Sequence, residues 1–404
     1  MKRYLFSFFS KVRTLLLIII CFYSLDGFAQ VGSEYYHSPL DTILYSKSLA
    51  QVRKLTIILP TTFNAVRSIK YPLVVVFDRQ NRGIFRQIFE SIDYLTRFDA
   101  MPEAVIVGIT SEQQRVLETS LRSENRQAEG EKLIQFVFEE LVPWCEATYN
   151  TGKCRNLIGH SRFGYFTTVM MCRKAQQLSS VVSLSPFYKQ GQANWVDSVT
   201  TRFAPIKPLT HKLFYRFVTG DSLSDTSDYA RMQAALSRAP LNPNFDWGAY
   251  AFYKAGHNVV PGLGVMPSLL DIFHDWSAEA SNFSPYSIKS TSASYKDFKN
   301  RMRNVYGEEI GLGVARLNGL GNEYYNQKGY NKALFFWKEL LVDYPFFTPT
   351  YINVADTYLV LNQPKQAVRY LQQGLKSLQS NTFFSASTQK ELAKQIQQKL
   401  AGVR

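Results

Sequence analysis

The sequence predicts an α/β fold with a doubly wound, mostly parallel sheet, followed by a small all-α domain. Up to about residue 276, short apolar runs alternate with segments of helical spacing, which is typical of a parallel sheet covered by helices. One run leads directly into Gly159-His160-Ser161, the form of a tight strand-to-helix turn. Beyond residue 311, small and apolar residues recur with a period of 34.

The first 29 residues have the composition of a cleavable secretory signal. Four basic residues precede an apolar run over 15–23, and Gly27-Phe28-Ala29 supplies small residues for cleavage before Gln30. The run is about half as long as a membrane-spanning helix needs to be. A retained anchor is the alternative. We expect cleavage, and therefore a secreted or periplasmic protein with no stable membrane span after processing.

Length and charge set broad limits on the protein's class. The chain has 404 residues, which suggests two domains, and a formal net charge of +14. Loss of the signal leaves 42 basic and 31 acidic residues. This excess favours anionic surfaces or substrates without choosing among them. No basic-aromatic motif accompanies it, so we expect no nucleic-acid partner.

Three cysteines remain after processing, namely Cys145, Cys154 and Cys172. An oxidising compartment permits disulfides, and Cys145 and Cys154 flank a short segment and could pair. Cys172 is expected as a small buried residue. No Cys/His pattern has the spacing of a metal site, and we expect neither metal nor cofactor.

The elements of the α/β domain, expected over 30–276, follow in order. Alternation that ends at Pro60 predicts an early edge strand, and continuous apolar runs predict strands buried on both faces. Apolar residues at helical spacing predict the helices. The strands are expected at 52–59, 73–77, 104–109, before Ser161, 181–186, 212–219 and 249–253, and the helices at 84–96, 131–149 and 165–177.

The C-terminal pattern matches the tetratricopeptide repeat. The matching residues are Leu320, Gly321, Tyr324, Ala333, Trp337 and Pro345, and one period later Val354, Ala355, Tyr358, Ala367 and Leu371. We expect a linker and connecting helix over 277–311 and a repeat domain over 312–404. Two repeats are fewer than independent stability usually requires, so they should lean on 294–316, on a helix from Ser387, or on the α/β domain.

Ser161 is the candidate nucleophile, and it needs a base. Of the five histidines, His257 follows a late strand in a loop, at the edge where open α/β sheets build their sites. His160 neighbours the serine and is expected to be structural. The other three lie before the first strand, before a strand, and in a helix; they are His37, His211 and His274.

The acid that orients the base should lie between Ser161 and His257 in the chain. Asp221 is the first carboxylate after the strand at 212–219, and Asp225 lies one turn later. Either could reach His257, and Asp225 or Asp228 could instead cap a helix. We prefer Asp221. The oxyanion donors are expected to be the backbone amides of Arg162, after the nucleophile, and of the early loop at Arg79.

Residues 33–275 resemble the putative esterase family of α/β-hydrolases. That family includes esterase D, feruloyl and acetyl xylan esterases, enterochelin esterases and mycolyltransferases. The matching landmarks are 55–60, 71–78, 102–110, 139–143, Ile158-Gly159-His160-Ser161, Asp221-Ser222-Leu223, and His257 with Val260-Pro261. The resemblance implies Ser161 as nucleophile, His257 as base and Asp221 as acid.

Two positions depart from the family pattern. The family usually has two glycines after Gly-His-Ser-x, and here Phe163 replaces the first, so that its ring must point away or the turn must open. Arg79 replaces the glycine of the usual Asp-Gly in the early loop, which alters access to the oxyanion site.

The leading hypothesis is therefore a secreted serine carboxylic-ester hydrolase that acts on a small-molecule or glycan-linked ester through an acyl-enzyme. An acyltransferase would use the same triad, with a sugar or lipid hydroxyl in place of water. The alternative of another class is a catalytically idle scaffold whose repeats bind a protein partner in their groove.

Overall fold

The structure is a computed structural model, and it describes residues 33–403 with the exception of 34, 112–114, 124, 192, 207, 222 and 285–290. The side chains of 223–225 and 292 also lie outside the description. The predicted signal segment, residues 1–29, therefore falls outside the described residues.

Eight strands form one sheet, and two short strands form a separate hairpin. The strands are β1 (Leu40–Ser46), β2 (Gln51–Ile58), β3 (Tyr71–Phe77), β4 (Val105–Ile109), β5 (Thr151–His160), β6 (Ser180–Leu184), β7 (Lys189–Gln190), β8 (Ala193–Asn194), β9 (Leu213–Thr219) and β10 (Phe245–Ala251). The order in the sheet is β1-β2-β4-β3-β5-β6-β9-β10. In this order, every neighbouring pair from β4 onward is parallel, whereas β2 pairs antiparallel with both β1 and β4.

Helices cover both faces of the sheet and make up the C-terminal region. They are α1 (Arg82–Arg97), α2 (Arg115–Glu118), α3 (Gly130–Gln135), α4 (Val142–Tyr149), α5 (Arg162–Lys174), α6 (Trp195–Arg202), α7 (Leu223–Arg238), α8 (Val260–Ile272), α9 (His274–Ser281), α10 (Ser292–Tyr306), α11 (Val314–Asn326), α12 (Tyr330–Asp343), α13 (Pro349–Val360), α14 (Pro364–Leu378) and α15 (Ala386–Gly402). The predicted fold class is confirmed: an α/β-hydrolase sheet is followed by an all-helical region.

The prediction of the edge strand is wrong. The strand expected there, β2, lies between β1 and β4, and β1 forms the edge. Pairing on both sides explains why β2 ends in a run of buried residues. The edge strand β1 buries only Ser46 fully and leaves Ile43 and Tyr45 largely exposed, so it has no clear apolar alternation.

The helix expected over 131–149 is interrupted. A π-helical stretch, Phe136–Leu141, separates α3 from α4. Pro143 follows that stretch, and its missing N–H removes one ordinary helical hydrogen bond, which favours a local change of winding. Apolar residues on both sides of the interruption still face the core, because Leu133, Phe136 and Leu141 are all fully buried.

The buried apolar residues divide between the two faces of the sheet. Along β3, Val74 and Val76 belong to one cluster, while Leu73 and Val75 belong to the other. The first cluster continues without a break into helices α10 to α15. The helical region therefore shares its core with the sheet.

The helical region packs against the edge of the sheet at which the parallel strands begin. Ser68, before β3, donates its backbone N–H to the carbonyl of Asp343 at 3.0 Å. The Ser179 hydroxyl, before β6, donates to the carbonyl of Tyr306 at 2.6 Å. Glu308 accepts from the backbone of Lys153, near the start of β5, at 2.9 Å. The opposite edge of the sheet is thus left to the candidate site.

The suggested pairing of Cys145 with Cys154 is wrong. All three described cysteines are free and buried. Cys145 and Cys154 belong to clusters on opposite faces of the sheet, so the strands separate their sulfur atoms. Burial raises the pKa of each thiol to about 12, which keeps the thiols protonated. Among the described residues no helix could cross a membrane, and no cluster of side chains could hold a metal.

Candidate active site

Four polar residues lie at the edge where the parallel strands end. Asp78 follows β3, Ser161 follows β5, Ser185 follows β6 and Asp221 lies just beyond β9. Three of them have positive φ angles, 59° at Asp78, 58° at Ser161 and 45° at Ser185, which L-residues adopt only when the surroundings hold them there. The loop after β10 brings His257 to the same edge.

Ser161 sits on a sharp turn between β5 and α5. Its φ and ψ are 58° and −117°. Its backbone N–H donates to the carbonyl of Leu184 at 2.8 Å, and its carbonyl accepts from Tyr165 at 2.9 Å. The turn anchors the serine to the neighbouring strand on one side and to the helix on the other, and the side chain stays partly exposed.

Two glycines make this turn possible. A Cβ on Gly159 would lie 2.3 Å from the carbonyl oxygen of Phe163, and one on Gly164 would lie 2.8 Å from that of Leu184. Both distances are shorter than any real carbon contact, so the backbone approaches here require glycine. The close approach of α5 to β6 is thus made at Gly164.

Because Gly164 makes the close approach of α5 to β6, position 163 does not require a small residue. Its ring is fully buried and stacks on Phe77, with ring centroids 4.8 Å apart and an interplanar angle of 11°. The guanidinium carbon of Arg115 lies 5.8 Å from the centroid of the Phe163 ring. The ring points away from the turn and into the core below it. This is the first of the two possibilities that the sequence left open.

The two histidines of the site contact each other. The Nε2 atom of His160 lies 3.0 Å from the carbonyl oxygen of His257, and the rings are 4.8 Å apart. Burial lowers the pKa of His160 to about 4, and the hydrogen bond to the His257 carbonyl offsets this effect only in part. The ring is therefore neutral at pH 7, and because a carbonyl only accepts, Nε2 must carry the proton. The Ser185 hydroxyl donates to the same carbonyl at 3.4 Å.

Asp221 contacts the loop that carries His257. Its carboxylate accepts a hydrogen bond from the backbone N–H of Lys254, and its own N–H donates to the carbonyl of Ala255 at 2.8 Å. The side chain is exposed. Asp225, the alternative acid, lies in the first turn of α7, but its side chain is outside the described residues. Asp228 accepts at Oδ2 from the backbone of Tyr188 at 2.7 Å.

The two expected oxyanion donors differ in their surroundings. The amide of Arg162 belongs to the first residue of α5, at the N-terminal end of the helix. The amide of Arg79 donates to the carbonyl of Ile109 at 3.0 Å. Arg79 can therefore serve an oxyanion only if this bond opens. Its side chain turns away, donating from Nε to the Thr56 hydroxyl at 2.7 Å.

The remaining histidines lie elsewhere. His37 precedes β1, and His274 is exposed at the start of α9. His211 precedes β9, at the opposite edge of the sheet, where its Nε2 is 3.0 Å from the carbonyl of Leu178.

An ion pair at the same edge was not predicted from the sequence. Arg115 binds the carboxylate of Asp78 with Nε at 2.8 Å from Oδ2 and 3.0 Å from Oδ1. The Asp78 side chain is only 9% exposed and that of Arg115 is 32% exposed, so the carboxylate is shielded from water more than the guanidinium. Asp78 is a visible signal as the first residue after an apolar strand, but Arg115 comes from a segment without periodic pattern.

Comparison with known proteins identifies a family. Residues 46–223 match the sequence model of the putative esterase family. The predicted family is confirmed over these residues, and the predicted enzyme class, a carboxylic ester hydrolase, is confirmed at the level of the family. No curated protein sequence matches the chain.

Several solved structures share the fold. An uncharacterised protein from Capnocytophaga ochracea DSM 7271 is 16% identical, with a TM-score of 0.57, and the match covers 89% of this chain and 99% of that one. An IroE-like serine hydrolase from Shewanella oneidensis is 17% identical, with a TM-score of 0.56 and coverage of 74% and 98%. The BES protein from Bacillus cereus is 16% identical, with a TM-score of 0.52 and coverage of 60% and 96%. At this identity the matches show the fold alone.

Proposed function

We propose that this chain, whose residues 46–223 match the putative esterase family, is a serine carboxylic-ester hydrolase with Ser161 as nucleophile and His257 as base. The observation that carries the proposal is the strained turn at Ser161 beside a loop held by His160. A serine hydroxyl is a weak nucleophile until a neighbouring base accepts its proton. His160 immediately precedes Ser161, and its contact with the carbonyl of His257 holds the proposed base close to the serine.

The proposed reaction proceeds in two steps. The Ser161 oxygen attacks the ester carbonyl while His257 accepts its proton, and the Arg162 amide donates to the developing oxyanion. Collapse expels the alcohol, which takes the proton from His257, and leaves an acyl-enzyme. Water then attacks the acyl group by the same route and releases the acid. Transfer to a sugar or lipid hydroxyl would use the same residues.

Asp221 is proposed to orient His257, with Asp225 as the alternative. The contacts of Asp221 with Lys254 and Ala255 favour it, because they fix the chain two and three residues before the base. These contacts also occupy one carboxylate oxygen with a backbone amide. Asp225 belongs to the first turn of α7 and follows Asp221 by four residues in the chain.

Turnover of short p-nitrophenyl esters tests the proposal. Ser161→Ala should lower kcat by up to ~10⁶-fold, as for other triad enzymes. Ser185→Ala is the matched control, because it removes a hydroxyl from the next strand end and should keep most activity. Loss of the orienting acid should cost about 10⁴-fold, so Asp221→Asn and Asp225→Asn identify which carboxylate acts. Absence of turnover in the wild-type protein would favour the idle scaffold.

Export and the C-terminal helices belong to the same proposal. Residues 1–29 are proposed as a signal peptide, so the exported protein should begin at Gln30, as its mass would show. Helices α11 to α14 are proposed as two tetratricopeptide repeats. Tyr330 and Pro364, which begin α12 and α14, are 34 positions apart, and the predicted contact residues Ala333 and Ala367 are fully buried. The groove of the repeats would suit a protein partner.

A further inference from the structure

The edge strand β1 has an unpaired outer side. It stands at the end of the strand order, and its one neighbour among the described strands is β2. The register with β2 runs without a break from Leu40, opposite Ile57, to Ser46, opposite Gln51. Proteins usually protect such an edge with a proline, a lysine, a bulge or a covering segment. β1 contains no proline, lysine or bulge.

The hydrogen-bond pattern identifies the backbone groups that face outward. The carbonyl of Lys54, in β2, accepts a hydrogen bond of 3.1 Å from the residue that follows β4. Backbone groups of successive residues in a strand point to opposite sides, so the preceding residue, Arg53, bonds to its partner Leu44 in β1. Ile43 and Tyr45, on either side of Leu44, therefore direct their N–H and C=O groups away from the sheet.

Exposed apolar side chains accompany these outward groups. Ile43 is 66% exposed and Tyr45 is 59% exposed, and they share one face of the sheet because they are two residues apart. Val52, opposite Tyr45 in β2, is 52% exposed on the same face. An edge that combines outward backbone groups with exposed apolar side chains is a template for pairing with another strand.

The charges at the two ends of β1 select a second copy of the same chain as the partner. Asp41 contacts Arg79 at 3.4 Å but is 74% exposed, and Lys47, directly after the strand, is also exposed. In an antiparallel pair of two β1 strands centred on Leu44, Asp41 of each copy lies opposite Lys47 of the other. The same register places Ile43 opposite Tyr45. Opposite charges at both ends and apolar side chains at the centre therefore match across the two-fold axis.

We propose that the protein forms a two-fold dimer in which the β1 strands of two copies pair antiparallel, with Leu44 opposite Leu44 of the second copy. Ile43 of each copy exchanges backbone hydrogen bonds with Tyr45 of the other, which satisfies the outward groups. The two sheets become one continuous sheet. Each copy uses its only β1 edge in the contact, so the assembly closes at the dimer.

Sedimentation of two charge variants of the mature chain tests the pairing. Asp41→Lys places like charges opposite each other at both ends, and so does Lys47→Asp. Each variant alone should dimerise more weakly than the wild type by about tenfold or more. An equimolar mixture restores opposite charges at both ends and should form a heterodimer. Lys365→Asp, at an exposed position in α14, is the matched control and should dimerise like the wild type.

Single cysteines test the register. Opposite residues of a non-hydrogen-bonded antiparallel pair have Cα atoms about 4.5 Å apart, which a disulfide can span. Leu44→Cys should therefore cross-link two copies under mild oxidation, as non-reducing electrophoresis would show. Thr42→Cys is the matched control on the same face, because its two copies would be about 13 Å apart. The described native cysteines are buried and should not interfere.

Three results would overturn the proposal. The first is a wild-type protein that stays monomeric at about 0.5 mM, which would leave the edge to a different partner. The second is an equimolar mixture of the two charge variants that associates no more than either variant alone. The third is cross-linking of Thr42→Cys in place of Leu44→Cys, or assembly beyond the dimer.

Discussion

His160 and His257 have different tasks although they lie next to each other. The ring of His160 is buried and neutral and holds the carbonyl of His257, while the His257 side chain stays partly exposed. A neutral donor suits this position, because a second cation would oppose protonation of His257 during the reaction. His160 is therefore a positioning residue for the proposed base.

The low pKa of His160 makes stability depend on pH. The folded protein binds its proton only near pH 4, whereas the unfolded chain binds it near pH 6.5. As the pH falls through this window the unfolded state gains the proton first, so the free energy of unfolding falls, by up to ~3 kcal/mol. His160→Gln keeps an N–H donor but does not titrate.

Urea unfolding at a series of pH values checks this effect. Between pH 6.5 and about 4 the stability of His160→Gln should fall less steeply than that of the wild type. His274→Gln, at an exposed position, is the control and should follow the wild type. Parallel curves for His160→Gln and the wild type would contradict the neutral, buried state of His160.

The sequence identified the candidate nucleophile and base but could not complete the site. The placement of Ser161 and His257 at the same edge of the sheet was predictable, because the fold fixes the order of its strand ends along the chain. The sequence does not decide whether Asp221 or Asp225 is the orienting acid, since the two lie only one helical turn apart. The hydrogen bond from the Arg79 amide to the Ile109 carbonyl depends on how two strand ends meet, so it could not be predicted from the local sequence.

The turn at Ser161 is the element on which the site depends. It joins β5 to α5 within a single residue of positive φ, and such a conformation costs about 1–3 kcal/mol. Gly159 and Gly164 allow the backbone to close around it, while the stacked rings of Phe77 and Phe163 support it from below. Packing of this kind keeps the serine in a conformation that it would otherwise leave.

A methyl group at Gly159 should disrupt this turn. Gly159→Ala places Cβ 2.3 Å from a backbone oxygen, so the turn must shift, and we expect the loss of both stability and esterase activity. Gly319→Ala is the matched control, because a Cβ there meets nothing within 4 Å and lies on helix α11. It should add about 0.5–1 kcal/mol through helix propensity.

Unfolding and turnover assays of the two variants give the comparison. An active Gly159→Ala protein of wild-type stability would show that the turn does not require glycine.

Most elements were predictable from apolar periodicity, but β1 was not, since the edge strand lacks a buried face on most of its length. The π-helical stretch before Pro143 was also missed, because hydrophobic spacing does not resolve helical winding.

At the scale of the whole molecule, the sheet and the helices share one apolar core, and we expect them to unfold together. One apolar cluster runs from β3 and α1 into α15, and backbone hydrogen bonds join the two parts. The helical region sits against the edge where strands begin, so it does not cover the edge with Ser161. The sequence predicted that two repeats would lean on their neighbours, but it could not say which edge they would use.

A core substitution in the helices should therefore destabilise the sheet as well. Trp337 is 2% exposed in α12, and Trp337→Ala should cost about 3–5 kcal/mol and lower the Tm in a single transition. Val342→Ala, on the same helix at a 57% exposed position, is the control and should change little. Calorimetry that resolves two transitions, with the second unaffected by Trp337→Ala, would contradict a shared unit.

Labelling by a fluorophosphonate tests the central claim most directly, because the reagent bonds only to an activated serine. Intact mass and peptide mapping should find one adduct per chain, on Ser161. The adduct should disappear in Ser161→Ala, form much more slowly in His257→Gln, and persist in Ser185→Ala. An unlabelled wild-type protein, or an adduct that survives in Ser161→Ala, would contradict the assignment of Ser161 as the nucleophile.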